Sequence, residues 1–140
     1  MKTCVIALAA SLLLLPLTQA EASVLAKVDV SSQTMNVYVD GALTYKWPVS
    51  TARKGYHTPR GSFRAQSLQA MHYSRKYDNS PMPHSVFFSG GFAIHGTHAV
   101  GSLGRPASHG CVRLSPGNAA ELYSLIKEQG RSATKIIVQN

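Results

Sequence analysis

Acidic residues are scarce in this chain, with 6 Asp and Glu against 14 Lys and Arg in 140 residues. None lies between Asp78 and Glu121. Charged residues of both signs make up only 14%, against an ordinary ~25%. With 44% apolar residues beside so little charge, disorder is excluded. The net charge of +8 suits an anionic, carboxylate-rich surface, although basic charge also serves solubility. A long hydrophobic span is lacking. The apolar run from Val5 to Leu17 has 13 residues, short of the ~20 that cross a bilayer. Repeats, heptads and low-complexity tracts are absent, and the length fits one domain. Cysteine is nearly absent, with only Cys4 and Cys111.

What is present begins with an address. Met1-Lys2-Thr3 gives a positive start, the apolar run follows, and Pro16-Leu17 closes it. Thr18-Gln19-Ala20 offers small residues at a cleavage site, and Ala20-Glu21-Ala22 offers a second choice. This is the layout of a secretory signal peptide. The expectation is a signal over residues 1–20, cleaved there or after 22, and one domain over 23–140. The exported product, in periplasm or cell wall, would then have no transmembrane segment, and nucleic acid would not be its partner. Cys4 leaves with the signal. Cys111 then has no intramolecular disulfide partner, and in an oxidising compartment it is either buried and inert or reactive.

The periodicity predicts a mainly β chain. Ser23 to Val30, Thr34 to Val39 and Ala42 to Val49 read as strands, with Asp40-Gly41 as a hairpin turn between the last two. Asp-Gly suits a type I′ turn because both positions need positive φ. Ser62 to Met71 reads as one long strand, His72 to His84 as a polar loop with Pro81 and Pro83, and Ser85 to Ser89 and Phe92 to His95 as two short strands. Ser115-Pro116 caps a helix carrying Ala119, Leu122, Leu125 and Ile126, and Gly130 closes it. Lys135 to Gln139 returns to strand. Short strands at this spacing suggest a sandwich or a barrel-like sheet pair.

The chemistry gathers around Cys111, in Ser108-His109-Gly110-Cys111-Val112-Arg113-Leu114, with His95-Gly96-Thr97 upstream. A free thiol has a pKa of ~8.5, so a cysteine nucleophile needs a base. His95 and His109 are the candidates. Gly110 frees the backbone to turn N–H groups toward a developing oxyanion. In an extended segment, Arg113 projects to the same side as Cys111, where it could hold a substrate carboxylate. No nearby acid is available to orient the base, so a backbone carbonyl or hydroxyl is the expected partner of His95. The charge-free stretch Asn79 to Gly104 suggests a dry wall behind the site. Plain packing of the cysteine is one rival. A zinc site is another, since His95, His98, His109 and Cys111 are metal-binding types, though their spacing matches no familiar module. His57, His72 and His84 read as surface histidines in loops.

Together these blocks resemble the L,D-transpeptidase catalytic domain. The likeness lies in His95-Gly96-Thr97, twelve residues between His95 and Ser108, and then Ser-His-Gly-Cys-Val-Arg-Leu. Asp29, Gln33, Asp40-Gly41, Val49-Ser50-Thr51 and Thr58-Pro59-x-Gly61 also fall in the family's order. Ala52, where many members have Gly, is a departure away from the chemistry. The resemblance implies a β-sandwich of mixed sheets with the cysteine in a groove under a flap. It implies Cys111 as nucleophile, His95 as general base and the Gly96 carbonyl as its orienter. The backbone N–H groups of His109, Gly110 and Cys111 would form the oxyanion hole. Arg113, Ser108, His109 and Thr97 would bind substrate or support the site. The implied substrates are peptidoglycan stem peptides. The acyl acceptor is left open among another stem, the amine of an outer-membrane protein or lipoprotein, and water, the last making the chain an L,D-carboxypeptidase or hydrolase. A non-catalytic wall-binding module is the rival outside this chemistry, and carbapenems are the implied inhibitors. No cofactor or metal is implied.

Overall fold

The computed structural model describes residues 15–16 and 22–140. The expected signal peptide therefore lies outside the described residues, apart from Leu15 and Pro16. Two sheets carry the fold. The first begins with β1 (Val24–Asp29), β2 (Thr34–Val39) and β3 (Ala42–Pro48). It adds β4 (Gly61–Arg64) and β9 (Thr134–Gln139), in the order β3-β2-β1-β9-β4. The second holds β5 (Ser67–Ser74), β6 (Ser80–Ser89), β7 (Phe92–Gly96) and β8 (Val112–Leu114), in that order. Both sheets are mixed, because β1 runs parallel to β9 and β7 runs parallel to β8. Among the described residues there is one α-helix, α1 (Pro116–Gln129), between β8 and β9 in the chain.

The core follows the period-two alternation of the strands. Val24, Ala26 and Val28 of β1 and Met35 and Val37 of β2 are buried. They meet Val86 and Phe88 of β6, Ile94 of β7, and Val112 and Leu114 of β8 in one cluster. The helix contributes Ala119, Leu122 and Ile126, and Leu125 packs against the edge of the cluster. Its start is fixed as the sequence indicates. The Ser115 hydroxyl accepts from the Asn118 N–H at 3.3 Å, with Pro116 at the first turn. The Asp40-Gly41 turn has φ of 49° and 81°, the positive pair that a type I′ hairpin requires.

Two expectations fail. Ser62 to Met71 is not one strand. The chain leaves the first sheet after Arg64 and enters the second at Ser67, with Ala65 buried at the crossing. Nor is His72 to His84 a loop. It is the far half of the β5–β6 hairpin, paired from Met71↔Pro83 to Ser74↔Ser80, with a short 3-10 turn at Arg75–Tyr77. Proline is tolerated there for a physical reason. β7 covers β6 only from Val86 onward, so Pro81 and Pro83 lie where β6 has an open side and needs no second ladder.

Candidate active site

The parallel pairing of β7 and β8 builds the site. Ile94 pairs with Val112 and His95 with Arg113. Ile94, Val112 and Leu114 point into the core. Alternation then turns His95, Cys111 and Arg113 to the opposite face, and all three line one groove of about 700 Å³. Buried Met82, Phe87 and Ala93 pack beside Cys111 and form its dry wall. A larger cavity, about 1170 Å³, lies against β1, β2, β4 and β9, and among the described residues no cysteine, histidine or carboxylate lines it. The chemistry-bearing groups are therefore in the smaller groove.

His95 is almost wholly buried, and its Nδ1 lies 2.7 Å from the Gly96 carbonyl oxygen. A carbonyl only accepts, so Nδ1 carries the proton and Nε2 keeps a lone pair. Burial pulls the His95 pKa down to about 4. The Gly96 bond opposes this shift, while Arg113 and His72 add to it. Burial also pushes the Cys111 thiol up, against the Ala93 N–H and Arg113, which pull it down. The resting pair is thus a neutral imidazole and a neutral thiol.

The Cys111 loop is braced from inside and from below. The Ser108 hydroxyl donates to the Cys111 carbonyl at 2.6 Å and accepts from the Gly110 N–H at 3.0 Å. The Gly110 N–H, expected in an oxyanion hole, is thus turned to Ser108 in this structure. The cause is the glycine's own geometry. Gly110 has φ +138°, and a Cβ there would sit 2.9 Å from the His57 carbonyl and 2.5 Å from the Phe92 ring. Its carbonyl accepts from Thr58 Oγ1 at 2.8 Å. Thr97 lines the groove, and its hydroxyl accepts from the Ala99 N–H at 3.1 Å.

Residues Val49 to Arg53 tie this loop to the first sheet. The Thr51 carbonyl accepts from the N–H groups of Ala107 and Ser108, and Arg53 donates its N–H to the Ser108 carbonyl at 2.9 Å. Ser50 and Arg113 exchange backbone bonds at 2.9 and 3.1 Å. Buried Gln33 holds the strip in place. It donates to Thr51 Oγ1 and to the Val30 carbonyl, and its Oε1 accepts from the Thr51 N–H. Sequence reasoning gave Gln33, Thr51 and Thr58 no role in the site. Their only signal was their place in the family's order.

The β5–β6 hairpin overhangs the groove as a flap. Tyr77 at its tip stacks on His109 at 4.0 Å and 12°, and Tyr56 meets the same ring edge-on at 4.9 Å. His109 is held below the usual histidine range, first by burial and then by Arg53, Arg113 and Lys76. His72 is not a loop residue. It lies on β5, lines the groove, and bonds Gln69 Oε1 through Nδ1 at 2.9 Å. His84 is on β6 against Tyr123, and His57 is exposed as expected. His95, His98, His109 and Cys111 share the groove without converging: among the described residues no three His, Cys, Asp or Glu side chains cluster as metal ligands do.

The site thus combines a groove-facing cysteine, a histidine oriented by a backbone carbonyl, and two mixed sheets under a flap. The model of the L,D-transpeptidase catalytic domain matches residues 23–138, and the chain belongs to that family. A putative L,D-transpeptidase YkuD of Bacillus licheniformis is 25% identical over 103 residues, covering 71% of this chain and 58% of that protein. A solved L,D-transpeptidase from Mycobacterium smegmatis is 32% identical with a TM-score of 0.75, over 85% of this chain and 59% of that one. The L,D-transpeptidase LdtMt1, solved in complex with imipenem, shares the fold at a TM-score of 0.73 and 24% identity, over 84% of this chain and 59% of its own. This chain thus spans less than two thirds of each of these relatives.

Proposed function

We propose that this chain is an exported cysteine transpeptidase acting on the tetrapeptide stems of peptidoglycan, in the periplasm or cell wall. The observation that carries the reading is the shared groove face of Cys111 and His95, with His95 Nδ1 bound to Gly96 and Nε2 left to accept. In the proposed reaction, Cys111 Sγ attacks the carbonyl at the L-centre of a diaminopimelate residue while His95 Nε2 takes the thiol proton. The N–H groups of His109 and Cys111 stabilise the oxyanion, since that of Gly110 is already bonded. Collapse expels the terminal D-alanine, whose amine leaves with the proton from His95, and a thioester remains on Cys111. An acceptor amine then loses its proton to His95, attacks the thioester and restores the thiol. The amine belongs to a second stem or to an outer-membrane protein or lipoprotein. Neutral starting groups suit this cycle, because His95 is free to accept a proton at pH 7. Arg113 at the groove floor would hold a carboxylate of the stem.

The test is mass spectrometry of muropeptides incubated with the mature protein. Cross-linked or exchanged stems should appear with the native chain. With Cys111→Ala they should vanish, while stability changes by no more than ~1–2 kcal/mol. Turnover that persists in Cys111→Ala would sink the reading. Imipenem, which LdtMt1 was solved with, should add once per chain on Cys111 in the intact-mass spectrum.

A further inference from the structure

The flap brings charge as well as an aromatic ring. Its 3-10 turn is Arg75-Lys76-Tyr77, and all three residues line the groove. Tyr77 is pinned flat on His109, so the two cations before it are held over the groove mouth. Lys76 Nζ lies 5.5 Å from the centre of the Tyr77 ring. Outside the groove lining, Arg53 lies 5.1 Å over the Tyr56 ring, which meets His109 edge-on. Lys76, Tyr77, His109, Tyr56 and Arg53 follow one another as cation, ring, ring, ring, cation, and the first three line the groove together with Arg75 and Arg113. Among the described residues no Asp or Glu lines the groove, and Asp78, the one acid on the flap, is not among its lining residues. Such a mouth presents one sign of charge to whatever enters, and a narrow opening concentrates that field.

We infer that Arg75 and Lys76 of the flap are specificity residues that select stem peptides with free carboxylates over stems whose carboxylates are amidated. The inference rests on the proposed action on stems. A carboxylate beneath the flap gains charge-assisted hydrogen bonds that a carboxamide does not. These bonds would discriminate between donors without touching the reacting atoms.

The experiment compares two tetrapeptide donors that differ only in the diaminopimelate side carboxyl, free in one and amidated in the other. The reading is the ratio of their kcat/KM values within each protein, so losses of folded enzyme cancel. The native chain should favour the free carboxyl by about fivefold to tenfold, the scale of two exposed ion pairs. Added salt should shrink the ratio, because the Debye length is ~8 Å at physiological ionic strength and shorter above it. Arg75→Gln with Lys76→Gln should bring the ratio within about twofold of unity. Arg64→Gln with Lys135→Gln removes the same net charge from the cavity against β4 and β9, and should leave the ratio as in the native chain. A native ratio of one or below overturns the inference. So does a preference that survives the flap double variant, or one lost equally in the Arg64 and Lys135 variant. A native protein that turns over neither donor refutes the proposed function itself, which is a different result.

Discussion

Two hairpins of this chain have the same pairing and opposite origins. The β2–β3 hairpin is closed by Asp40-Gly41, and β2 buries Met35 and Val37 on one face. Its turn chemistry and its period both lie in neighbouring residues. The β5–β6 hairpin has no such support over its outer half, where Gln69, Ala70, Met71 and Tyr73 are exposed and β6 carries two prolines. What orders it is tertiary: pairing from Met71 to Ser74 and the stack of Tyr77 on His109. The first hairpin belongs to the scaffold, and the second hangs over the groove. A segment held by contacts with the site can respond to what occupies the site. That is why the hairpin least supported by local sequence is the one placed to meet substrate.

The contrast is broken most severely where scaffold and site are fused, at Gly110. Gly110→Ala forces a positive φ on a side chain and drives a Cβ against the Phe92 ring and the His57 carbonyl. The ring can turn but the backbone carbonyl cannot yield. The expected cost is about 3–4 kcal/mol, from overpacking and the left-handed backbone together. Turnover should fall by at least ~100-fold, because the same peptide sets the Cys111 loop through Ser108. Thermal denaturation and muropeptide turnover check both halves, and a variant of native stability would refute the close-approach argument.

A smaller effect separates the two sheets by pH. The buried polar groups of the first sheet and its strip, Gln33, Ser50, Thr51 and Thr134, do not titrate. The second sheet buries His95, whose pKa falls from 6.5 to about 4 on folding. Between those values the unfolded chain binds the proton and the folded chain does not. Stability therefore rises with pH across this window and is lost as pH falls from 6.5 through about 4. The loss should reach about 2–3 kcal/mol. His95→Asn should flatten most of that slope in urea denaturation from pH 4 to 7. His109, lowered mainly by burial, leaves a weaker slope of the same sign. An unchanged slope in His95→Asn would place the titration elsewhere.

How much could be read in the sequence follows the same division. β1, β2, β3, the helix with its Ser115 cap, and β9 are written in local period and local chemistry. Cys111 and His95 are also legible as a cysteine near two histidines in an acid-free stretch, whereas Gly96 as the partner of His95 came only with the family resemblance. Three features were not legible. The crossing at Ala65 has no turn residue to mark it, since both flanks are strand-like and only sheet membership changes. The flap looks polar because both its faces meet solvent or groove, so no period forms. The engagement of the Gly110 N–H by Ser108 depends on a φ value that Gly permits but does not announce. Gln33 belongs with these, because two of its three hydrogen bonds reach Thr51, 18 residues along the chain.

The finest cut between the hairpins comes from weakening each at its tip. Gly41→Ala places a Cβ at φ 81° in the β2–β3 turn. It should cost about 1 kcal/mol, because an L side chain is disfavoured there and nothing in the turn relieves it. Catalysis should follow only the fraction folded, since Asp40 and Gly41 are remote from the groove lining. Tyr77→Ala should do the reverse. The tyrosine is half-buried and its main contact is one stack on His109. Removing it should cost only about 0.5 kcal/mol, the low end for an aromatic pair. The flap then loses its hold over the groove, so KM for stem donors should rise about three- to tenfold, with kcat changed less. Tyr77→Phe keeps the ring and should restore KM, which separates stacking from any role of the hydroxyl. If Tyr77→Ala instead melts the protein as Gly41→Ala does and leaves KM alone, the flap is scaffold after all. The difference between the two hairpins would then lie only in how their sequences read, not in what they do.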